Sequence, residues 1–137
     1  VINYSSGDRR ALIKEVTGGK GIDVVYDPVG SDYTEAALRS LRPEGRLLVV
    51  GFAAGDIPKI PLNLCLLKQC SIVGVFWGGF ARANPSAQFE NMQELFALYE
   101  TGAIKPRVDD LFSLEQVEDA FSCLTERRAK GKVILKP

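Results

Sequence analysis

The residue types that most often carry out catalysis are sparse in this sequence of 137 residues, and histidine is absent. Without histidine, the chain alone cannot form a Ser-His-Asp triad, a Cys-His pair or a histidine-containing zinc site. Four residues separate Cys65 from Cys70, a poor fit to the usual zinc spacings, so we expect both thiols to pack as small hydrophobic groups. Acid–base chemistry would therefore fall to Tyr, Lys, Asp or Glu, or to a bound cofactor. We predict no metal site.

Glycine and aromatic residues at the ends of apolar runs are the main candidates for ligand contacts. In a doubly wound parallel sheet, ligands bind at the carboxyl ends of the strands, where glycine lets a flat ligand approach the backbone closely. The same glycines could serve only to form turns, and the pattern leaves both explanations open. The segments concerned are Tyr4, Pro28–Gly30, Gly51–Phe52 and Phe76–Gly78.

The elements that would position these segments alternate between apolar runs and helical patterns. The order β-α-β-α-β with short connections predicts a parallel sheet with helices on both faces. The continuous apolar run from Ile22 to Tyr26 is typical of a strand buried on both faces. Asp32 and Glu35 have the spacing of a helix capping box. The predicted strands are "VINY", "IDVVYDPVG", "GRLLVVGF" and, after a proline-rich detour, "CSIVGVFWG"; the helices between the first three are "DRRALIKEVTGG" and "YTEAALRSL".

The pattern changes near Ala83, and we place a domain boundary between residues 1–83 and 84–137. The second part is predicted to be a helix–strand–helix–strand extension. Its first helix starts at Asn84 and Pro85, an extended segment "IKPRVDDLFSL" follows, and "GKVIL" closes as a strand. The apolar faces of its two helices are Phe89, Met92, Leu95, Phe96 and Tyr99, and, after a Ser113–Gln116 capping box, Val117, Ala120, Phe121 and Leu124.

Composition excludes several classes of partner. Lys plus Arg equal Asp plus Glu at 17 each, so no net charge attracts nucleic acid or anionic lipid, and we predict no nucleic-acid partner. No apolar stretch approaches the roughly 20 residues of a membrane-spanning helix. Three cysteines at irregular spacing favour a reducing compartment, so we expect a cytoplasmic protein. A mitochondrial location stays open, because a targeting segment would lie upstream of Val1.

The residues resemble one family over essentially the whole chain, in order and with fitting spacings. The segments that carry the resemblance are "VINY", "VTGGKGIDVVYDPVG", "ALRSLRPEGRLLVVGFAAGDIP", "PLNLCLLK", "SIVGVFWG" and "GKVIL". They resemble the C-terminal part of a zinc-independent quinone oxidoreductase, from the NADPH-dependent branch of the medium-chain dehydrogenase/reductase superfamily, and most of all the quinone oxidoreductase-like proteins.

The resemblance implies an α/β fold, a partial Rossmann-type doubly wound parallel sheet without its first β-α-β unit. The G-x-G-x-x-G fingerprint of that unit is absent, and "GGKGID" lies after a helix and before a strand, which is the wrong context for it. Relative to the family, the GroES-like catalytic half is also lacking. In the family, the residues that correspond to 84–137 pack against that half.

The resemblance also implies which residues contact NADPH. Tyr4 matches a tyrosine that approaches the adenosine 2′-phosphate and favours NADPH over NADH; a core tyrosine at a strand end is the alternative. Lys132 matches a basic position that can reach the pyrophosphate, with a solvated lysine on an edge strand as the alternative. Pro28 stands where relatives often have Ser, so a hydrogen bond from that side chain is lost. The other implied contacts are Val29, Gly30, Gly51, Phe52, Phe76 and Trp77.

In this family, hydride passes from nicotinamide C4 to a quinone or an enone without a metal, and the protein orients and polarises the reactants. We therefore predict part of an NADPH-dependent oxidoreductase, inactive as this chain alone, and assign no catalytic residue within it. An enoyl-thioester reductase uses the same hydride geometry and is one alternative. A non-catalytic module that binds cofactor or holds a dimer is another, because crystallins and RNA-binding factors also occur in this family.

The segment Cys70–Gly79 is predicted to be a long apolar edge strand. In relatives, the corresponding strand pairs with its two-fold mate, and a bare apolar edge would favour aggregation. We predict a homodimer through this strand. The alternative is that the detour around Pro58 and Pro61 covers it.

Overall fold

The computed structural model describes residues 1–3 and 7–137 and contains two compact units, Val1–Phe80 and Ala81–Pro137. Each unit contains its own parallel sheet. Tyr4, one of the predicted cofactor contacts, lies outside the described residues. The boundary predicted after residue 83 remains a prediction as a division between functional domains.

The first unit alternates helices with the strands of a three-stranded sheet. Its elements are α1 (Arg9–Val16), β1 (Ile22–Asp27), α2 (Asp32–Arg39), β2 (Leu41–Val49), α3 (Asn63–Lys68), β3 (Ser71–Gly74) and the start of α4 (Trp77–Ala83), which runs past the end of the unit. The strand order is β1-β2-β3, and both pairings are parallel. The predicted parallel α/β sheet is therefore confirmed. The sequence did not indicate α3, a short helix within the proline-rich detour.

The core of the first unit is a cluster of leucines around β2. Leu41 and Leu47 of β2 are buried together with Leu38 of α2 and Leu64 of α3. Burying each of these side chains contributes about 1.5–3 kcal/mol relative to leaving it in water. The sheet is therefore anchored by its middle strand and by the two helices that follow β1 and β2.

β1 is less buried than its apolar run predicted. Val24 and Tyr26 are exposed, so the prediction of a strand buried on both faces is wrong for this structure. β1 is an edge strand of the described sheet, with β2 as its one neighbour there. A continuous apolar run predicts burial only if both faces of the strand are covered by other elements, and here Val24 and Tyr26 of β1 are left exposed.

β3 is also shorter than the predicted Cys70–Gly79 strand, which is a correction to that prediction. It covers Ser71–Gly74. The amide of Val75 still donates to the carbonyl of Val49, at 2.9 Å, but β2 ends at Val49 and offers no further partner in the ladder. The chain turns instead, and the Phe80 amide donates to the Phe76 carbonyl at 3.1 Å within the first turn of α4.

Two local predictions near the start of the chain are wrong for similar reasons. Residues 1–3 lie in no strand, since a strand needs a paired neighbour. The Asp32–Glu35 capping box does not form, because Ser31 is the N-cap of α2 and the Asp32 carboxylate pairs with Arg9 at 2.8 Å. The Arg9 guanidinium also stacks on the Tyr33 ring, which joins α1 to α2.

The second unit has the predicted helix–strand–helix–strand order. Its elements are the end of α4, then α5 (Pro85–Glu100), β4 (Val108–Ser113), a 3-10 turn (Leu114–Gln116), α6 (Val117–Thr125) and β5 (Lys132–Lys136). β4 and β5 pair in parallel, and the Ser113–Gln116 capping box is present.

The helices of the second unit expose most of their predicted apolar faces. On α6, Ala120 and Cys123 are buried, whereas Phe121 and Leu124 are exposed. On α5, the exposed members of the predicted stripe are Phe89, Leu95, Phe96 and Tyr99. The helical periodicity was therefore right, but it did not indicate which apolar residues are covered.

Candidate cofactor-binding edge

The candidate site lies at the carboxyl edge of the three-stranded sheet, where the β1 loop (residues 28–31) and the β2 loop (residues 50–56) meet. The strands that precede them are parallel neighbours, so both loops leave the sheet at the same edge. Backbone hydrogen bonds join the loops along their length. They run from Ala53 N to Pro28 O (3.1 Å), from Ala54 N to Val29 O (3.0 Å) and from Ser31 N to Asp56 O (3.1 Å).

Asp27, the last residue of β1, fixes the β1 loop of this junction by hydrogen bonds. Its buried carboxylate accepts hydrogen bonds from the amides of Val29 and Gly30, each 3.0 Å from Oδ1, and from the Thr34 hydroxyl, 2.6 Å from Oδ2. Burial raises the pKa of Asp27, but the hydrogen bonds from Thr34, Gly30 and Val29 outweigh it and hold the pKa below its ordinary value. The carboxylate is therefore ionised at neutral pH.

Asp27 and Thr34 were not predicted from the sequence as site residues, although the sequence around Asp27 carries one signal. An Asp that follows an apolar run and precedes Pro-x-Gly is the usual residue for an Asx-turn, in which its side chain accepts the amide two residues later. The bond from the Val29 amide to Asp27 has this spacing. Thr34 gave no comparable signal, because its bond to Asp27 depends on where α2 packs.

The two glycines predicted as ligand contacts are already in close contact with the opposite loop. Gly30 has φ +75°, and a Cβ built there would lie 2.8 Å from the Phe52 ring. A Cβ on Gly51 would lie 3.3 Å from the Pro28 carbonyl oxygen. Loop packing thus requires small residues at both positions whether or not a ligand binds. The amides of Val29, Gly30 and Gly51 all donate within the protein, so a ligand would not receive its hydrogen bonds from them.

The edge presents aromatic surface to solvent. Phe52 is 39% exposed, Phe76 74% and Trp77 56%. Phe76 and Trp77 follow β3, which continues the ladder one residue further through the Val75 amide. The Phe76 ring lies over Gly79, where a Cβ would come within 2.7 Å of it. Exposed rings beside a glycine-rich junction fit the flat, apolar part of a dinucleotide better than they fit its phosphates.

Lys132 belongs to the second unit, where it is exposed as the first residue of β5. Its amide donates to the carbonyl of Arg107 at 2.8 Å. The preceding turn is held by Asp109, whose carboxylate accepts hydrogen bonds from the Arg107 side chain and the Lys130 amide. The structure therefore brings Val29, Gly30, Gly51 and Phe52 together, with Phe76 and Trp77 at the same edge, and leaves the roles of Tyr4 and Lys132 as predictions.

No group of three or more metal-ligating side chains occurs among the described residues. None of the three cysteines forms a disulfide: Cys123 is buried, and Cys65 and Cys70 are partly buried. Burial and the neighbouring Cys65 raise the pKa of Cys70, which fits a thiol that packs as an apolar group. Within residues 1–3 and 7–137, no helix is both long and apolar enough to cross a membrane.

A parallel sheet with helical crossovers and a loop junction at its carboxyl edge defines an α/β protein of the Rossmann type. The sequence profile of the family described as zinc-binding dehydrogenase matches residues 1–135, and the chain belongs to this family.

Individual proteins within and around this family are similar to the chain in sequence and in structure. Quinone oxidoreductase-like protein 2 of Bos taurus is 40% identical over 134 residues, which are 98% of this chain and 38% of that protein. The 2-haloacrylate reductase of a Burkholderia species is 32% identical over 139 residues, 99% of this chain and 41% of that enzyme. The crystal structure of Escherichia coli quinone oxidoreductase complexed with NADPH is similar with a TM-score of 0.85 and 31% identity, over 100% of this chain and 43% of that chain.

This chain therefore spans about two fifths of the length of these relatives, and it matches their C-terminal part. The predicted resemblance to quinone oxidoreductases and the predicted fold class are confirmed.

Proposed function

We propose that the protein is an NADPH-dependent oxidoreductase that passes hydride to a quinone or an α,β-unsaturated carbonyl compound without a metal. Within it, residues 1–83 supply part of the cofactor-binding domain, and residues 84–137 pack against a catalytic domain. The proposal rests on one observation. The β1 and β2 loops are joined by backbone hydrogen bonds at the carboxyl edge of a parallel sheet, and exposed aromatic rings lie at the same edge.

The role of this chain is to bind and orient. NADPH, when bound, supplies the hydride from its nicotinamide ring. Phe52, Phe76 and Trp77 offer apolar surface to a flat ring, and Val29 with the two glycines Gly30 and Gly51 shapes the backbone beside it. Because the acceptor contacts lie mostly outside this chain, we assign it no catalytic residue.

Two classes of acceptor are supported by the names of the relatives. Quinone oxidoreductases act on quinones, and a 2-haloacrylate reductase acts on an alkene activated by a carboxylate. Both acceptors take hydride at an electron-poor carbon or oxygen, so one cofactor geometry serves both.

Fluorescence of Trp77, the single tryptophan, tests cofactor binding directly. We expect saturable quenching by NADPH and weaker quenching by NADH, with no such signal in a Trp77→Phe variant. Because this chain alone is predicted to be inactive, turnover is tested in the intact protein, as oxidation of NADPH in the presence of a quinone or an enone. Binding without oxidation by either acceptor would favour the non-catalytic, cofactor-binding alternative. No binding at all would overturn the proposal.

Tyr4 is proposed to donate its phenol hydroxyl to the 2′-phosphate of NADPH, and Lys132 to approach the pyrophosphate. A charge-assisted hydrogen bond contributes about 1.5–3 kcal/mol, so Tyr4→Phe should weaken NADPH binding about tenfold or more. NADH lacks the 2′-phosphate, so its affinity should not change. Equal losses for both cofactors would contradict the role of Tyr4.

We also propose that the protein is a cytoplasmic homodimer that pairs through the Cys70–Gly79 segment. β3 is an edge of the described sheet, and its four residues are all exposed. A charge on an edge strand opposes pairing, so Val73→Lys should convert dimer to monomer in light scattering. Leu66→Lys, an equally drastic change at an exposed position of α3, is the matched control. A dimer that survives Val73→Lys would argue against this interface.

A further inference from the structure

Asp27 is connected to both loops of the candidate cofactor edge, and through two different groups. Its side-chain carboxylate accepts the amides of Val29 and Gly30 in the β1 loop. Its main-chain carbonyl accepts the amides of Val50 and Gly51, at 3.0 and 3.3 Å, where the β2 loop begins. One residue therefore sets where each loop leaves the sheet.

The effect of Asp27 extends to an exposed ring. Gly30, which donates to the carboxylate, sits against Phe52 so closely that a Cβ would lie 2.8 Å from the ring. Any shift of Gly30 therefore moves Phe52 or opens a gap beneath it, because close-packed contacts transmit displacement. Phe52 is one of the aromatic side chains at the edge that solvent reaches.

Both oxygens of the Asp27 carboxylate are already hydrogen-bonded within the protein. Oδ1 accepts two amides and Oδ2 accepts the Thr34 hydroxyl, and the side chain is buried. A buried carboxylate is costly unless its lone pairs are satisfied, and here three neutral donors satisfy them. This arrangement suits a residue that fixes neighbouring groups and not one that exchanges protons with a substrate.

We propose that Asp27 is the positioning residue of the cofactor edge, holding the β1 loop so that Val29, Gly30 and, through Gly30, the Phe52 ring keep the arrangement that receives the cofactor. This inference rests on the proposed function. Asp27 itself does not contact the ligand; it acts through the two loops, and Thr34 keeps its carboxylate in place.

The test measures NADPH affinity of the purified protein by titration calorimetry for three variants. Asp27→Asn retains the shape but removes the charge and one acceptor oxygen, so the loop amides lose their charged acceptor and Thr34 can no longer donate at the second position. Thr34→Val removes the hydroxyl at nearly constant volume, and Thr34→Ser keeps it. We expect Asp27→Asn and Thr34→Val to weaken NADPH binding by about tenfold, the equivalent of one lost charge-assisted hydrogen bond. Thr34→Ser keeps the hydroxyl, so its NADPH affinity should stay within about threefold of that of the unsubstituted protein.

A matched control separates positioning from general loss of stability. Leu41→Val changes a buried core residue at the opposite end of β2, where Leu41 pairs with Ile22. It should lower the free energy of unfolding while leaving NADPH affinity unchanged. A second readout is the proton chemical shift of the Val29 and Gly30 amides, which should move upfield in Asp27→Asn because their acceptor loses its charge.

The outcomes of the two hypotheses are distinct. If the unsubstituted protein does not bind NADPH, the proposed function fails. If it binds NADPH and Asp27→Asn and Thr34→Val bind equally well, the positioning role is overturned and the proposed function stands. If Leu41→Val loses as much affinity as Thr34→Val, the effect is one of stability, and the positioning role is again overturned.

Discussion

The two units of the chain contain similar elements, but they differ in how many apolar side chains are buried. In the first, leucines from two helices and the middle strand form a shared core. In the second, the buried apolar residues among those described are Ala120 and Cys123, while rings such as Phe96 and Phe121 are exposed. Each unit also has an aspartate that holds a loop or turn, but Asp27 is buried beneath two loops, whereas Asp109 lies in β4 and is only partly buried. The first unit therefore has the interior that a rigid ligand-binding edge requires, and the apolar residues of the second remain largely uncovered.

The largest effect should come from the core of the first unit. Leu47→Ala removes a fully buried side chain and should lower the free energy of unfolding by about 2–5 kcal/mol. The matched substitution in the second unit is Leu111→Ala on β4, where the side chain is 65% exposed, and it should change stability by about 0.5 kcal/mol or less. Urea unfolding followed by circular dichroism measures both. Similar losses would mean that the second unit has a core comparable to that of the first.

The next effect concerns the loop junction. Gly30→Ala and Gly55→Ala both place a side chain at positive φ, but only the first meets a neighbour, since nothing lies within 4 Å of a Cβ at Gly55. Gly30→Ala should therefore cost about 1–3 kcal/mol more than Gly55→Ala in the same unfolding experiment. In a Phe52→Ala background this excess should shrink, because the ring contact is lost and only the 3.3 Å approaches to the Asp56 carbonyl oxygen and the Phe52 Cα remain. An excess of unchanged size without the ring would show that the contact with the Phe52 ring is not its cause.

A loss of similar size is expected at the hydrogen bond between Thr34 and Asp27. Thr34→Val leaves one oxygen of a buried carboxylate unsatisfied and should destabilise the protein by about 1.5–3 kcal/mol. Thr125→Val on α6 removes a hydroxyl that bonds to exposed backbone carbonyls, and its effect should be within about 0.5 kcal/mol. Comparable free energies of unfolding for the two variants would refute the contrast between the two units.

The smallest effect is a pH dependence that distinguishes the two aspartates. Burial raises the pKa of both Asp27 and Asp109, but hydrogen bonds outweigh burial in each case, and for Asp109 these come from Arg107 and Lys130. Both carboxyl pKa values therefore lie below their ordinary value. A group whose pKa is depressed by folding stabilises the protein above its ordinary pKa, and this stabilisation is lost as the pH falls through the folded value. Acid titration of the free energy of unfolding should therefore become shallower in Asp27→Asn, and less so in Asp109→Asn, whose partners are exposed to solvent screening. Identical titration curves for both variants and the unsubstituted protein would contradict the lowered pKa values.

Much of the fold could be predicted from local sequence. Helix periodicity and caps located α1, α2, α5 and α6, and continuous apolar runs located the strands that pair in parallel. Candidate residues at the strand ends followed from one rule, that parallel strands present their carboxyl ends at one edge. The Ser113–Gln116 capping box formed, whereas the Asp32–Glu35 box of the same spacing did not, because Asp32 pairs with Arg9 of α1 instead.

The errors occurred where the outcome depends on a distant neighbour. β3 ends at Gly74 because β2 offers no partner beyond Val49, which the apolar letters of residues 75–79 do not reveal. β1 is exposed at Val24 and Tyr26 because it is an edge strand of the described sheet. The role of Asp27 could not be predicted, because it depends on hydrogen bonds from Thr34 and from the β2 loop, which pack around it.

Most of the helices and strands, their order and the parallel pairing could be predicted from the sequence, because periodicity, caps and turn residues act within a few positions of the chain. The family was predicted from the resemblance of whole segments to a known family. The length of each strand, the burial of each apolar face and the connection of two loops by the Asp27 carboxylate could not be predicted in this way. Those features depend on contacts between residues far apart in sequence, where burial and hydrogen-bond geometry are set jointly by both partners.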